Sequence, residues 1–121
     1  MENFIFENID VWQKSRMLVK AVYQLVNNLP NQERFALSDQ IRRAIVSVPS
    51  NIAEGSGRTS PKEKIHFLEI ANGSLLECYC QLMIAVDLGY FKEDEILKLR
   101  PKFLEISKMI NGWRNNLKNK I

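Results

Sequence analysis

The stretch FALSDQIRRAIVSVPSNIAEGSGR, residues 35–58, combines more local signals than any other segment of the chain. Its apolar residues recur at steps of three and four, which predicts an amphipathic helix with one buried face. These residues are Leu37, Ile41, Ala44, Ile45, Val48 and Ile52. Pro49 removes a backbone donor inside this helix, so we expect a kink there. Gly55 and Gly57 offer positive-φ positions at which the helix can stop.

The same periodicity predicts three further helices around this segment. Asn8 or Asp10 is the expected cap of the first helix. Ser38 or Asp39 is the expected cap of the second helix. The predicted helices span about 10–28, 38–55, 61–88 and 94–118 within a single domain, 1–121. Because the loops between them are short, the sequence predicts an all-α, antiparallel, up-down-up-down four-helix bundle.

The third helix is apolar on nearly all sides. Ser60, Pro61 and Glu63 form a clear start, with Ser60 and Glu63 as the two partners of a capping box. One heptad seam contains Leu68, Ala71, Leu75, Cys78, Leu82 and Ala85. Further apolar residues lie off that seam, namely Phe67, Ile70, Leu76, Met83 and Ile84. Such a helix is either central or covered by a second subunit. Gly73 costs about 1 kcal/mol relative to alanine, so we expect another backbone to approach it closely.

The fourth predicted helix has the most regular apolar seam. Its members are Ile96, Leu99, Phe103, Ile106, Ile110, Trp113 and Leu117. Around that seam the chain is strongly basic. Between residues 98 and 120 there are seven basic residues and a single acid, Glu105, a local charge of +6 in a chain whose total is +3. This helix can therefore contact phosphates, or it can be an ordinary solvated face whose late positive charge suits the helix dipole.

Composition excludes several classes of protein. The chain has 121 residues, 45% hydrophobic and 26% charged, which is ordinary for one globular domain. The acidic start MENFIFENID is unlike a signal peptide, and no apolar run is long enough to span a membrane. Cys78 and Cys80 lie two apart on one helix and point to different sides, so we expect neither a disulfide nor a shared metal. A reducing, cytoplasmic setting fits this cysteine usage.

Three arginines near the second helix are candidate phosphate or subunit contacts. Arg42 and Arg43 lie about 100° apart on a helix, so they cannot share a face. The alternative for this pair is one solvated arginine and one paired with an acid such as Glu54, Glu69 or Glu77. Ser56-Gly57-Arg58 resembles a small anion nest, although a plain turn is the favoured interpretation.

No catalytic, cofactor-binding or metal-binding constellation is recognisable. His66 is the only histidine, with no nearby cysteine or second histidine to complete a zinc site. The chain lacks the Gly-Lys-Ser/Thr of a nucleotide-binding loop and the Glu-x-x-His pairs of a di-metal bundle. Four aromatic residues have the type of side chain that stacks on bases, but their helical spacing favours core packing. They are Trp12, Tyr79, Phe103 and Trp113.

Two segments together resemble a known family. QIRRAIVSVPSNIAEGSGR at 40–58 and FLEIANGSLLECYCQLMIAVDLGYF at 67–91 are similar to the four-helix-bundle proteins encoded in intervening sequences of bacterial 23S ribosomal RNA genes, also labelled an S23 ribosomal protein type. The pattern RRA-x-x-S-x-P-S-N-I-A-E-G is specific, because an ordinary bundle does not require it. The resemblance covers nearly the whole chain. Cys78-Tyr79-Cys80 departs from it, since a more polar run is expected there.

The resemblance implies a bundle that assembles into a ring-like homo-oligomer, with a pentamer as the expected stoichiometry, and it implies no enzyme activity. A more distant similarity to the accessory protein of diversity-generating retroelements implies a reverse transcriptase and nucleic acid as partners. We therefore expect a non-enzymatic bundle that needs no cofactor and binds RNA, such as ribosomal RNA, through its phosphates. The alternative is a module that recruits a protein such as a reverse transcriptase or a ribosome-linked factor. The expected RNA contacts are Arg42, Arg43, Arg58, Lys98, Arg100, Lys102, Lys108, Arg114 and Lys118.

Overall fold

The computed structural model describes residues 1–121 and contains only helices, turns and loops, as the sequence predicts. The helices are α1 (Asp10–Val26), α2 (Leu37–Ser56), α3 (Pro61–Asp87), α4 (Glu93–Leu97) and α5 (Arg100–Lys118). Short 3-10 turns cover Ile5–Asn8 and Asn31–Glu33. None of the helices is long and apolar enough to cross a membrane.

The four long helices form a bundle in which each has two neighbours. Helix α1 packs against α2 and α5, and α3 packs against the same two helices. No Cα atom of α1 lies within 8 Å of one in α3, and the same holds for α2 and α5. The helices therefore occupy the corners of a square, with one hydrophobic cluster between them that includes residues of all five helices.

The predicted apolar stripes supply this core. All six predicted residues of α2 and all six seam residues of α3 are buried. In the fourth stripe, Leu99 and Trp113 are only partly buried, while the other five residues are buried. Ser15 of α1 is also fully buried, which the apolar pattern does not predict, and its hydroxyl donates to the carbonyl of Trp12 over 2.9 Å. This local hydrogen bond satisfies the hydroxyl inside the core.

Hydrogen bonds between side chains link α3 to both of its neighbours. The hydroxyls of Ser47 and Ser74 lie 2.8 Å apart between α2 and α3. The amide of Asn51 donates to the Ser47 hydroxyl over 2.9 Å. On the other side of α3, the hydroxyl of Ser107 in α5 donates to Asn72 over 2.8 Å. Both links meet the middle of α3, at two positions separated by a single residue.

The predicted fourth helix, 94–118, is divided in the structure. Helix α4 ends at Leu97, and α5 begins at Arg100. Pro101 explains the division, because its ring would clash with the carbonyl of the residue four positions earlier, which is Leu97. At the second position of α5, however, proline is tolerated, since the amide there has no helical acceptor. Helix α2 continues through Pro49. The kink expected at that residue stays a prediction.

Two predicted N-caps are wrong. Ile9 precedes α1 and Ala36 precedes α2, and neither supplies a side-chain cap. The amide of Leu37 instead donates weakly to the carboxylate of Glu33, at 3.4 Å, which leaves Ser38 inside the helix. At α3 the Ser60 hydroxyl accepts from the amide of Glu63 over 3.1 Å, as predicted. The Glu63 carboxylate faces the Ser60 hydroxyl at 3.4 Å, so the reciprocal half of the capping box is replaced by a side-chain contact.

Helix α3 ends at a glycine, as predicted. Gly89 has φ +83°, and the amides of Gly89 and Tyr90 donate back to Val86 and Ala85. This is a Schellman arrangement, which favours glycine because φ is positive. Gly55 and Gly57 do not have the expected positive φ, since Gly89 is the only residue with one. Their role in ending α2 therefore does not depend on left-handed backbone.

Close helix approach occurs at Gly55 rather than at Gly73. A Cβ atom on Gly55 would lie 2.9 Å from Cβ of Phe67, so α2 and α3 meet there at a distance that only glycine permits. A Cβ atom on Gly73 would meet nothing within 4 Å. The expectation of a backbone against Gly73 is therefore wrong for the single chain, and that glycine lies on the exposed side of α3.

The two cysteines differ in environment and should differ in reactivity. Both are free; Cys78 is buried and Cys80 is exposed. Burial raises the pKa of the Cys78 thiol to about 12, and the charge of Glu77 adds to the rise. We expect iodoacetamide at pH 8 to label Cys80 in the native protein and Cys78 only after unfolding, since the thiolate is the nucleophile. Tandem mass spectrometry distinguishes the two positions, and equal native labelling would contradict the buried position of Cys78.

Candidate nucleic-acid interface

The basic residues of α5 and the segment before it have no acidic partner. No carboxylate lies within 4.0 Å of their charged groups. The four ion pairs of the chain are made by Lys14, Arg43 and Arg58. All are exposed except Arg114, which is partly buried. The set is Lys98, Arg100, Lys102, Lys108, Arg114, Lys118 and Lys120, and we call it the α5 basic surface.

The single acid of α5 is already occupied. Glu105 accepts a hydrogen bond from Nζ of Lys14 in α1 over 2.7 Å. This bond raises the pKa of Lys14, against the lowering effect of desolvation, and the nearby Asp10 carboxylate also raises it. Because the negative charge of Glu105 is paired with Lys14, it does little to offset the positive field of the neighbouring lysines.

The α5 basic surface has two flanks separated by the buried seam. Arg100 lies on the α3 flank, where its guanidinium sits 5.5 Å from the ring centre of Tyr79 and donates to its hydroxyl over 3.3 Å. Helical spacing places Arg114 and Lys118 on the same flank. By the same spacing Lys102 falls on the opposite flank, toward α1. Contact with both flanks therefore requires a folded RNA, since one strand along a single path reaches only part of the set.

A polar cluster lies beside the α3 flank. Ser107 donates to Asn72, and the amide of Asn111 reaches the Ser107 hydroxyl at 3.5 Å. The Oδ1 atom of Asn111 and the Nε atom of Arg114 are buried without a protein hydrogen-bond partner. This cluster is not predictable from the sequence, because isolated Ser and Asn residues on a helix carry no periodic signal.

The arginine pair of α2 separates as predicted. Nε of Arg43 donates to Asp39 over 3.0 Å, and its side chain remains 80% exposed. Arg42 has no acidic partner and lies over the ring of Tyr23, 5.6 Å from its centre. The expected acidic partners Glu54, Glu69 and Glu77 are wrong, because Asp39 is one helical turn before Arg43 and reaches it more easily.

Arg58 is held in place by two neighbours. It donates to Glu54 over 2.9 Å and lies 4.7 Å from the ring centre of Phe67. The amides of Gly57 and Arg58 donate to carbonyls of α2, so they do not converge on an external anion. The geometry of Ser56-Gly57-Arg58 is that of a plain turn and not that of an anion nest.

The remaining candidates have structural surroundings. His66 is exposed, and its ring centre is 5.3 Å from that of Phe67. No group of three His, Cys, Asp or Glu side chains is placed to hold a metal ion. Phe103 is buried, and three other aromatic residues pack partly buried against the core: Trp12, Tyr79 and Trp113.

An apolar strip runs along the α3 flank of the bundle. Leu76 and Met83 of α3 are 58% and 52% exposed, and Leu97 and Leu104 lie exposed across from them. Two shallow cavities of about 240 and 170 Å³ follow the groove between α3 and α4–α5. Both are lined by Tyr79 and Arg100. The α3 apolar strip therefore lies next to one flank of the α5 basic surface.

Comparisons with known proteins agree with the architecture. A crystal structure of a protein of unknown function from the S23 ribosomal protein family of Bacteroides thetaiotaomicron is similar to this chain, with a TM-score of 0.78 and 25% identity. The similarity covers 86% of this chain and 97% of that chain. No curated protein matches the sequence. The profile of one family matches residues 7–112, and the chain therefore belongs to the family of 23S rRNA-intervening sequence proteins.

Proposed function

We propose that the chain is a self-associating bundle that binds RNA through phosphate contacts made by the α5 basic surface and by Arg42, Arg43 and Arg58. The observation that carries this proposal is that none of the seven residues of the α5 basic surface forms an ion pair, while the one acid of α5, Glu105, is bound to Lys14. Unpaired lysines and arginines release counterions from phosphates when RNA binds, which gives affinity without sequence specificity. No catalytic step forms part of the proposal.

The proposed bundle runs up-down-up-down, with α2 bent at Pro49. Residues 57–60 link the long helices α2 and α3, and such a link spans at most about 20 Å. Helices α2 and α3 have 20 and 27 residues, or about 30 and 40 Å, so this link cannot return the chain to the opposite end of the bundle. A bend at Pro49 is proposed because proline cannot donate to the carbonyl of Ile45.

The RNA proposal is tested by a salt titration. Fluorescence anisotropy with a structured RNA, for example a ribosomal RNA hairpin, should give an affinity that falls steeply as salt rises from 50 to 300 mM. Each phosphate contact adds about 0.7 to 0.9 to the slope of log K against log salt. A Kd weaker than about 10⁻⁴ M near physiological salt is no better than non-specific binding and would overturn the proposal.

Self-association is proposed through the α3 apolar strip, with a pentameric ring as the expected form. Exposed apolar side chains in a continuous strip mark interaction surfaces more often than isolated ones do. We expect sedimentation velocity to show an oligomer that the double variant Leu76→Gln, Met83→Gln converts to a monomer. Met17→Gln is the matched control, since Met17 is exposed on α1 outside the strip. A wild-type monomer at high concentration would contradict this part of the proposal.

The alternative function is recruitment of a protein, such as a reverse transcriptase or a ribosome-linked factor, through the same strip. Its support is the apolar groove beside Tyr79 and Arg100, since aromatic and arginine side chains are enriched at protein interfaces. The two functions give different results in one assay. Recruitment is favoured by two results together. RNA binding is weak and insensitive to salt, and the Leu76→Gln variant loses a protein partner that the wild-type chain binds.

A further inference from the structure

A polar cavity lies at the junction of α1 and α2, away from the α5 basic surface. Its volume is about 240 Å³. It is lined by Val26, Asn27, Leu29, Pro30, Asn31, Arg34, Ser38 and Arg42. Two of these residues carry a positive charge, three carry neutral polar side chains, and none carries a carboxylate. The cavity walls are therefore suited to an anion.

Ser38 is a buried polar group without a partner. The residue is 3% exposed and lines the cavity. Its hydroxyl makes no hydrogen bond within the protein, in contrast to the fully buried Ser15, which donates to the carbonyl of Trp12. An unpaired hydroxyl at a cavity wall is free to donate to a group that enters the cavity.

The two arginines of the cavity are held without being neutralised. Arg42 lies over the ring of Tyr23 at 5.6 Å, and Arg34 lies over the ring of Phe35 at 5.1 Å. Neither forms an ion pair. Contact with an aromatic face leaves the guanidinium N–H groups at the edge free to donate. Both arginines can therefore direct donors to an oxyanion in the cavity.

The nearest acids are already engaged by other groups. Glu33 accepts from the hydroxyl of Tyr90 over 2.7 Å and more weakly from the amide of Leu37. Asp39 is paired with Arg43 at 3.0 Å. Both carboxylates are bonded to residues that do not line the cavity. Neither carboxylate therefore competes with an anion for Arg34 or Arg42.

The start of α2 lies at the cavity wall. The amide of Ser38, a residue that lines the cavity, makes no backbone hydrogen bond, because helix α2 begins at Leu37. Unpaired amides at a helix start carry partial positive charge and are a common feature of phosphate sites. Here the amide of Ser38 accompanies the unpaired hydroxyl and the two free arginines rather than standing alone.

We propose that this cavity binds a phosphate group, held by Arg34, Arg42 and the hydroxyl of Ser38. The volume is below the 300 to 1,000 Å³ of typical small-molecule pockets, so it suits a phosphate with part of a sugar and not a whole nucleotide. The phosphate can come from a free phosphate compound or from an RNA terminus. The site goes beyond RNA contact by the α5 basic surface, because it needs neither α5 nor a polymer.

Calorimetry with inorganic phosphate tests the site on the full chain. We expect saturable binding of phosphate, measured against sodium chloride of equal ionic strength. Arg34→Gln and Arg42→Gln should each weaken it at least tenfold. Arg16→Gln is the matched control: it removes the same charge from an arginine that also lies over an aromatic ring, 5.3 Å from the centre of Trp12, and that does not line the cavity. It should leave binding within twofold. Ser38→Ala should weaken binding several-fold, with an unchanged circular dichroism spectrum as the check on folding.

Two short RNAs of one sequence, with a 5′-phosphate or a 5′-hydroxyl, identify the source. An Arg42-dependent preference for the 5′-phosphate supports the site with an RNA end as its ligand, and binding of free phosphate without that preference supports it with a small compound. No saturable binding of phosphate or of either RNA end, or an equal loss in Arg16→Gln, overturns the proposal. The triple variant Lys102→Gln, Lys108→Gln, Lys118→Gln should keep phosphate binding, so failure of the RNA surface and failure of this cavity are separable.

Discussion

Replacing Lys102, Lys108 and Lys118 together with glutamine is expected to weaken RNA binding roughly 100- to 500-fold at ~0.1 M salt. Each lysine that contacts one phosphate contributes about 0.7 to 0.9 to the slope of log K against log salt. Between ~0.1 and 1 M salt, a slope of this size corresponds to an affinity change of about five- to eightfold. The three contributions multiply. The lysines are exposed and without ion-pair partners, so the substitutions remove charge and leave the core intact.

The control for this variant removes three charges elsewhere. Lys20→Gln, Lys62→Gln and Lys92→Gln give the same net charge from exposed lysines on α1, α3 and the loop before α4. If binding depends on a local surface, the control should lose less than about tenfold in affinity. Equal losses in the two triple variants would mean that RNA senses only the overall charge of the chain, and the α5 basic surface would lose its assigned role.

Two alanine substitutions are expected to shift stability in opposite directions. Gly55→Ala places a methyl group 2.9 Å from Cβ of Phe67, an atom fixed to the α3 backbone, so the two helices must separate. Overpacking of this kind costs about 1–3 kcal/mol, which outweighs the gain of up to about 1 kcal/mol from replacing glycine in a helix. We expect the free energy of unfolding to fall by up to about 2 kcal/mol.

Gly73→Ala is the matched substitution. Its new Cβ atom meets nothing within 4 Å, so only the helix propensity changes, and the free energy of unfolding should rise by about 0.5–1 kcal/mol. Urea titrations at one protomer concentration measure both variants, because self-association makes stability depend on concentration. Stabilisation by Gly55→Ala equal to that by Gly73→Ala would show that α2 and α3 are not in close contact at Gly55.

Apolar periodicity predicted the helices and their buried faces because burial depends on spacing along one helix. The seam of α3 from Leu68 to Ala85 illustrates this: every member is buried. Which helices come closest depends on contacts between segments that are far apart in sequence. For that reason the sequence predicts close helix approach at Gly73, whereas the approach occurs at Gly55.

Candidate site residues were predictable by type and less so by environment. The excess of basic residues after Lys98 is visible in the sequence, and their lack of acidic partners is visible only in the fold. The cavity at α1 and α2 was missed for a related reason. The sequence predicts Ser38 as a helix cap, and only the observed helix start shows that the residue lies inside α2 with its hydroxyl unpaired.

The hydrogen bonds at the middle of α3 also fix how the helices can slide. Apolar heptads alone permit a neighbour to shift by one turn, about 5.4 Å, with its buried face still facing the core. After such a shift in α2, Ser74 would lose Ser47, and after one in α5, Asn72 would lose Ser107. Unpaired polar groups between helices are costly. Asn72 and Ser74 therefore select one axial register for α2 and for α5, both fixed at the middle of α3. A chain with leucines at all four positions would keep its apolar seams and lose that selection.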